Sequence, residues 1–104
     1  MIVKINMDKT LSGEERQHDY FRSKVEDELK RFESHITRIE VYLKDENGIK
    51  DGFNDMSCLL EARLEGRQPI AVSSQADTIE QALSSAIDKM RASVQTIIGK
   101  SKNH

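Results

Sequence analysis

Lysine and arginine residues recur along two helical patterns of this 104-residue chain, at spacings that suit binding to phosphate groups. At 100° per residue, Lys24 and Arg31 are seven positions apart and share one flank of the first predicted helix. In the second predicted helix, Lys89 and Lys100 share a flank in the same way. Two such helices packed side by side would present rows of cations to a nucleic-acid backbone.

Residues for metal binding or catalysis form no comparable pattern. The histidines His18, His35 and His104 are far apart, and none has a Cys, Asp or Glu at a recurrent metal-ligand spacing. The single cysteine, Cys58, lies in an alternating apolar pattern that directs it inward, and it has no partner for an internal disulfide. We therefore expect no enzymatic activity, no metal, no cofactor and no small-molecule substrate.

The charge of the chain is uneven along its length. The net charge of -2 argues against an attraction of the whole surface for nucleic acid. Residues 45–65 carry a net charge of -4, whereas residues 88–104 carry +3. Any nucleic-acid contact is therefore expected on a local basic patch at the C-terminal helix.

Length and hydropathy predict a single cytoplasmic domain. A chain of 104 residues with 37% hydrophobic residues suits one soluble domain with one core. No apolar run approaches the ~20 residues that span a bilayer, and the first residues lack the layout of a signal peptide. We expect no membrane association.

Four segments alternate between apolar and polar residues, as half-buried strands do. They are Ile2–Met7, Ile36–Asp45, 56–65 and 69–74. The third strand directs Cys58 and Leu60 inward. The fourth begins with Pro69, which is tolerated only at a strand start or on an edge, so we place this strand at the rim of the sheet. A loop over 46–55 and a turn over 66–68 connect the last three strands.

Two segments have apolar residues at helical spacing. The first helix is predicted from about residue 13 to 33, with Ser12 as its cap and an apolar stripe that includes Phe21 and Phe32. The second is predicted to start at a cap formed by Asp77 and to end at Gly99.

The order β-α-β-β-β-α predicts an α+β fold, a two-layer sandwich of a four-stranded mixed sheet with two helices on one face. A helical crossover makes the first two strands parallel, and hairpins make the later pairs antiparallel. The predicted domain covers residues 1–98, followed by a flexible tail over 99–104.

Three stretches of the chain resemble a known family. "LKRFESHITRIEVYLKDENG", "CLLEARLEGRQPIAVSSQAD" and "IEQALSSAIDKM", in this order of elements, are similar to the ribosome hibernation promoting factors, also called ribosome-associated inhibitors or sigma modulation proteins. The resemblance implies a fold like that of double-stranded-RNA-binding domains. It also implies a function: docking on the small ribosomal subunit and its rRNA where messenger and transfer RNA bind, which blocks translation under stress or in stationary phase.

The resemblance also implies which residues contact RNA and which type of family member the chain is similar to. Family members use helical Lys and Arg residues against ribosomal RNA, and the matching positions are Lys24, Lys30, Arg31, Lys89 and Arg91. The chain stops shortly after the second helix, so it resembles the short type, which lacks the C-terminal dimerisation domain. We expect a monomer away from the ribosome.

A second function remains open at this point. Residues 12–35 carry seven acids against five bases, which departs from the family pattern and lowers the expected affinity for RNA. The alternative is a protein-interaction regulatory module of the same fold, with weak or no RNA binding. It would use the sheet edge at 69–74 or the acidic loop. Salt dependence separates the two, because phosphate contacts weaken steeply as salt rises.

Overall fold

The computed structural model describes residues 1–7, 15–46 and 56–102. The predicted order of elements is confirmed. The elements are β1 (Ile2–Met7), α1 (Glu15–Leu29), a 3-10 turn (Lys30–Phe32), β2 (Ile36–Asp45), β3 (Met56–Leu64), β4 (Ile70–Ala76) and α2 (Ile79–Lys102).

The four strands form one mixed sheet in the order β1-β2-β3-β4. β1 pairs with β2 in parallel, and the two later pairs are antiparallel, as predicted. β4 lies at the rim and begins directly after Pro69, which confirms the edge position inferred from that proline. The turn before it has Gly66 at φ 71°, a conformation that glycine adopts without strain.

Both helices pack on one face of the sheet and enclose a single core. Alternate residues of the strands point into it, and Cys58 is among them, as its sequence pattern indicated. α1 contributes the buried residues Phe21, Val25 and Leu29, while α2 contributes Leu83, Ala86, Ile87, Met90 and Val94. The opposite face of the sheet carries no helix in the described part of the chain, so its side chains are open to solvent.

The first helix is shorter than predicted. Its α-helical part ends at Leu29, and residues 30–32 form a 3-10 turn in place of a continuous helix to residue 33. The backbone N–H of Glu33 bonds the Lys30 carbonyl at 3.0 Å, and this tighter turn brings Phe32 into the core. The predicted cap, Ser12, lies outside the described residues.

The start of the second helix also differs from the prediction. Thr78, directly before the first residue of α2 and one position after the predicted Asp77, caps the helix: the Thr78 hydroxyl accepts the backbone N–H of Gln81 at 3.1 Å. Thr78 and Gln81 have the spacing of a capping box.

The predicted end of the second helix at Gly99 is wrong, because α2 continues to Lys102. A glycine cap usually brings a following apolar residue back onto the helix, but a lysine follows Gly99. Ile97 and Ile98 are packed against the core instead and hold this part of the helix in place. Of the predicted tail, residues 99–102 are helical, and the domain boundary at 98 stays a prediction.

α1 and α2 run parallel to each other, and polar contacts join them along their length. The Tyr20 hydroxyl donates to Glu80 Oε1 at 2.5 Å near the start of both helices. Farther along, Arg91 reaches Glu28. The hydrogen bond to Glu80 and its negative charge raise the pKa of Tyr20. These contacts fix which flanks of the helices face each other.

Candidate nucleic-acid interface

The five cations predicted to contact RNA lie in three separate places. Lys24 and Arg91 line the cleft between the two helices, and Lys30 and Arg31 form the 3-10 turn after α1. Lys89 lies on the other flank of α2, beside β4. The structure therefore does not bring the five side chains into one continuous patch.

Arg91 joins the two helices. Its guanidinium lies 2.9 Å from Glu28 Oε2 on α1 and 2.9 Å from Asp88 Oδ1 on its own helix. The Arg91 side chain is only 33% exposed, and its Nε is buried without a hydrogen-bond partner. With two carboxylates against it, Arg91 is placed to stabilise the helix pair and presents little uncompensated charge to a phosphate.

Lys24 shares this acidic environment. It lines a small cleft together with Glu28, Ser84, Ile87 and Asp88. None of the ion pairs formed by the described residues involves Lys24, but Glu28 and Asp88 lower the positive potential at the cleft. A phosphate would gain less here than at an isolated lysine.

Lys30 and Arg31 are accessible cations on the 3-10 turn. Both are exposed, and neither takes part in an ion pair within the described part of the chain. The Arg31 guanidinium lies 4.9 Å from the centre of the Phe32 ring, which is anchored in the core. This cation–π contact restrains the guanidinium on the surface and leaves it without a carboxylate partner in the described part of the chain.

Lys89 reaches the outer edge of the sheet. Its ammonium donates to the backbone carbonyl of Ser73 on β4 at 2.7 Å. That side of β4 has no strand partner among the described residues, so Lys89 covers an acceptor that an unpaired edge exposes. The helical pattern of the sequence placed Lys89 on α2, but it gave no indication that the Lys89 side chain reaches β4 at the rim of the sheet.

Lys89 also lines a groove of about 700 Å³ on the open face of the sheet, which we call the sheet groove. Its other lining side chains include the exposed residues Tyr42, Lys44, Leu59, Ser73 and Gln75. Tyr42 and Lys44 are both exposed on the same face of β2, as alternation along a strand requires. Leu59 was missed, although an apolar residue at an outward position of β3 was a signal.

A hydrogen-bonded set of side chains borders the sheet groove. The Tyr42 hydroxyl donates to Glu40, and Arg38 donates to the same carboxylate with Nη2 at 2.7 Å. These two hydrogen bonds, the one from Tyr42 first, hold the pKa of Glu40 below its ordinary value. The bond to Glu40 and partial desolvation raise the pKa of Tyr42, so its ring stays neutral at physiological pH.

The open face as a whole carries more bases than acids. Across β1, β2 and β3, its charged side chains are Lys4, Arg38, Lys44 and Arg63 against Glu40 and Glu61, and Glu46, directly after β2, lies 4.0 Å from the Lys44 ammonium. The cleft between the helices, by contrast, has its cations matched by Glu28 and Asp88. The described part of the sheet face therefore carries a small excess of positive charge, whereas all five predicted cations lie on α1, the 3-10 turn or α2.

The described residues contain neither a metal cluster nor an activated thiol. No three His, Cys, Asp or Glu side chains in ranges 1–7, 15–46 and 56–102 are placed to share a metal ion. Burial raises the pKa of the Cys58 thiol to about 12, which suppresses the reactive thiolate. Neither described helix has a stretch of apolar sequence long enough for a bilayer crossing.

Comparison with solved structures identifies similar folds at low sequence identity, among them the two that follow. The N-terminal domain of Protein Y from Thermus thermophilus superimposes with a TM-score of 0.73 at 15% identity, covering 93% of this chain and 99% of that one. A ribosomal subunit interface protein from Coxiella burnetii gives a TM-score of 0.68 at 12% identity, covering 95% and 99%. At these identities the likeness shows the fold.

Sequence comparison identifies the family. No curated protein sequence matches the chain. The family model described as sigma 54 modulation protein / S30EA ribosomal protein matches residues 9–102, nearly the whole chain. The resemblance inferred from the three sequence stretches is thereby confirmed: this chain belongs to the sigma 54 modulation protein / S30EA ribosomal protein family.

Proposed function

We propose that the protein docks on the small ribosomal subunit through ribosomal RNA and blocks translation by occupying the region where messenger and transfer RNA bind. The observation that carries this proposal is the family match over residues 9–102. The shared fold with a protein described as a ribosomal subunit interface protein supports it. Action under stress or in stationary phase, in the cytoplasm, as a monomer when off the ribosome, is part of the same proposal.

The accessible cations give the proposal a physical basis. Lys30 and Arg31 lie on the 3-10 turn after α1, and the Phe32 ring restrains Arg31. Ordering such side chains on a phosphate costs less side-chain entropy than ordering mobile ones. Lys24 and Lys89 are further candidate contacts at separate places on the surface, while Arg91 contributes chiefly by holding the helices together.

The test is co-sedimentation of the purified protein with small ribosomal subunits over a salt series. We expect association that falls steeply between about 50 mM and about 200 mM salt, because each phosphate contact releases counterions. In the double variant Lys30→Glu, Arg31→Glu, both contacts become repulsive, so association should be lost. The charge-conserving variant Lys30→Arg, Arg31→Lys is the matched control and should still bind.

Two outcomes contradict the proposal. Failure of the wild-type protein to co-sediment at low salt would remove the ribosomal subunit as a partner. Association that is independent of salt would exclude docking through phosphates. If the wild-type protein binds and the Lys30→Glu, Arg31→Glu variant binds equally well, docking stands and these two residues are removed from the interface.

The alternative is a protein-interaction module of the same fold. It is favoured by the cleft between the helices, where Glu28 and Asp88 neutralise the cations. Such a module would pair a partner strand with β4 at the rim. The Lys89 ammonium already donates a hydrogen bond to the Ser73 carbonyl on that edge. A partner strand could pair with β4 there only by displacing the lysine, which argues against this mode of protein binding. The acidic loop lies almost wholly outside the described residues.

A further inference from the structure

We propose that the sheet groove binds a single-stranded segment of RNA, with a base stacked on Tyr42 and phosphates held by Lys44 and Lys89. The inference rests on the proposed function in taking the strand to be ribosomal RNA. It places a second RNA contact on the face of the sheet opposite to the helices.

The floor of the groove is an apolar platform. Tyr42 and Leu59 are directly opposite each other on β2 and β3, and each is 38% exposed. An aromatic ring of this kind accepts any base, because every base has a flat face for stacking. The hydrogen bond from its hydroxyl to Glu40 fixes the Tyr42 ring in place.

Two ammonium groups flank this platform. Lys44 lies on β2, and Lys89 reaches the Ser73 carbonyl on β4. β2 and β4 are two strand spacings apart, about 10 Å, so the two lysines border opposite sides of the Tyr42–Leu59 platform. A lysine has three N–H donors, and the bond to Ser73 uses one, so Lys89 keeps donors for a phosphate.

Uncharged polar groups line the space between the cations. Ser57 and Gln75 are opposite each other on β3 and β4. Their hydroxyl and amide groups suit base edges and the ribose 2′-OH. An added protein strand along β4 would instead need the edge carbonyl of Ser73, which Lys89 occupies. The chemistry of the groove thus favours RNA over a paired polypeptide.

Glu46 opposes phosphate binding at one end of the groove. Its carboxylate accepts the Ser57 hydroxyl at 2.9 Å and lies 4.0 Å from the Lys44 ammonium. A phosphate must compete with this carboxylate for Lys44. Replacement of the charge by Glu46→Gln is therefore expected to tighten RNA binding several-fold.

Tyrosine fluorescence tests the stacking directly, because the chain has two Tyr and no Trp. In the Tyr20→Phe variant, Tyr42 is the sole source of the signal. A short single-stranded oligoribonucleotide of mixed sequence, without ribosomes, should quench it. The Tyr42→Phe variant, which retains only Tyr20, is the matched control: it keeps a stacking ring but should show no quenching beyond absorption by the RNA.

The cations are tested by the salt dependence of the same titration. Loss of two single-strand phosphate contacts in Lys44→Gln, Lys89→Gln should reduce the slope of log affinity against log salt by about 1.4. An unchanged slope and affinity in this variant, or no quenching of Tyr42 at low salt, would overturn the proposal. A bound polypeptide that protects the amides of Ala71 and Ser73 from hydrogen exchange, without quenching Tyr42, would show that the β4 edge pairs with protein. That result would also overturn the proposal of RNA binding in the sheet groove.

Failure of this inference and failure of the proposed function are distinguishable. Co-sedimentation with small subunits and no quenching of Tyr42 by the oligonucleotide would reject the sheet groove alone. Quenching of Tyr42 by the oligonucleotide without co-sedimentation would reject ribosome docking and keep the groove as a site for single-stranded RNA.

Discussion

Replacement of Arg91 should destabilise the domain, because its guanidinium bridges the two helices. It forms one ion pair across the helices with Glu28 and one within α2 with Asp88, both at 2.9 Å. The partner side chains are 43% and 72% exposed, so solvent screens both interactions. Partly exposed pairs of this kind contribute about 0.3–1 kcal/mol each, which makes the total about 1 kcal/mol.

Two variants separate the loss of attraction from added repulsion. Arg91→Met keeps the apolar stem and removes the buried, unpaired Nε, so its cost should be at most about 1 kcal/mol. Arg91→Glu places a third carboxylate beside Glu28 and Asp88, and repulsion of similar size brings the cost to about 2 kcal/mol. For a domain of this size, 1 kcal/mol shifts the melting temperature by about 4–8 °C.

Thermal unfolding followed by circular dichroism measures this effect. We expect Arg91→Glu to melt roughly 10 °C below the wild type, with a smaller difference at high salt. The Lys30→Glu variant, at an exposed position without an ion pair in the described chain, is the matched control and should change stability by at most about 0.5 kcal/mol. The added substitution Glu28→Arg should recover part of the loss. Equal melting temperatures for Arg91→Glu and the wild type would refute the bridging role.

Three further outcomes follow from particular contacts. Thr78→Ala removes the cap on the Gln81 N–H and should cost about 1 kcal/mol in denaturant unfolding, whereas Thr78→Ser should cost less. Cys58 should resist alkylation at neutral pH until the chain unfolds, because burial raises the pKa of its thiol. The contribution of the buried neutral thiol to the free energy of unfolding should be complete below its unfolded pKa of about 8.5. It should fall as pH rises towards the folded pKa of about 12. In Tyr42→Phe, the depressed pKa of Glu40 should rise in an NMR titration. Its contribution to stability is present above its unfolded pKa of about 4.3 and is lost as pH falls through the lower folded value.

The fold followed from the sequence because each element carries a periodic apolar pattern. The alternation in β2 and β3 fixed which residues enter the core, Cys58 included. The stripe on α1 fixed the buried face of that helix. Helix ends were predicted less well, since they depend on single hydrogen bonds. Asp77 and Thr78 are adjacent, and both residue types are suited to a cap. Only the structure shows that the Thr78 hydroxyl accepts the hydrogen bond from the N–H of Gln81.

The site was less predictable because side-chain direction and partners are tertiary properties. The sequence predicts RNA contact for Lys89 and Arg91 alike. In the structure, Lys89 reaches the rim of the sheet, whereas Arg91 lies between two carboxylates. The sheet groove depends on the register of β2 with β3, which brings Tyr42 beside Leu59. No spacing within a single element contains that information.

Competition on the ribosomal subunit tests the central claim most directly. Small subunits are loaded with messenger and transfer RNA or left empty, and binding of the labelled protein to each is measured at the same low salt concentration. Docking in the region where these RNAs bind predicts association with empty subunits and strong exclusion from loaded ones. Equal binding to loaded and empty subunits would contradict the proposed mechanism of blocking translation.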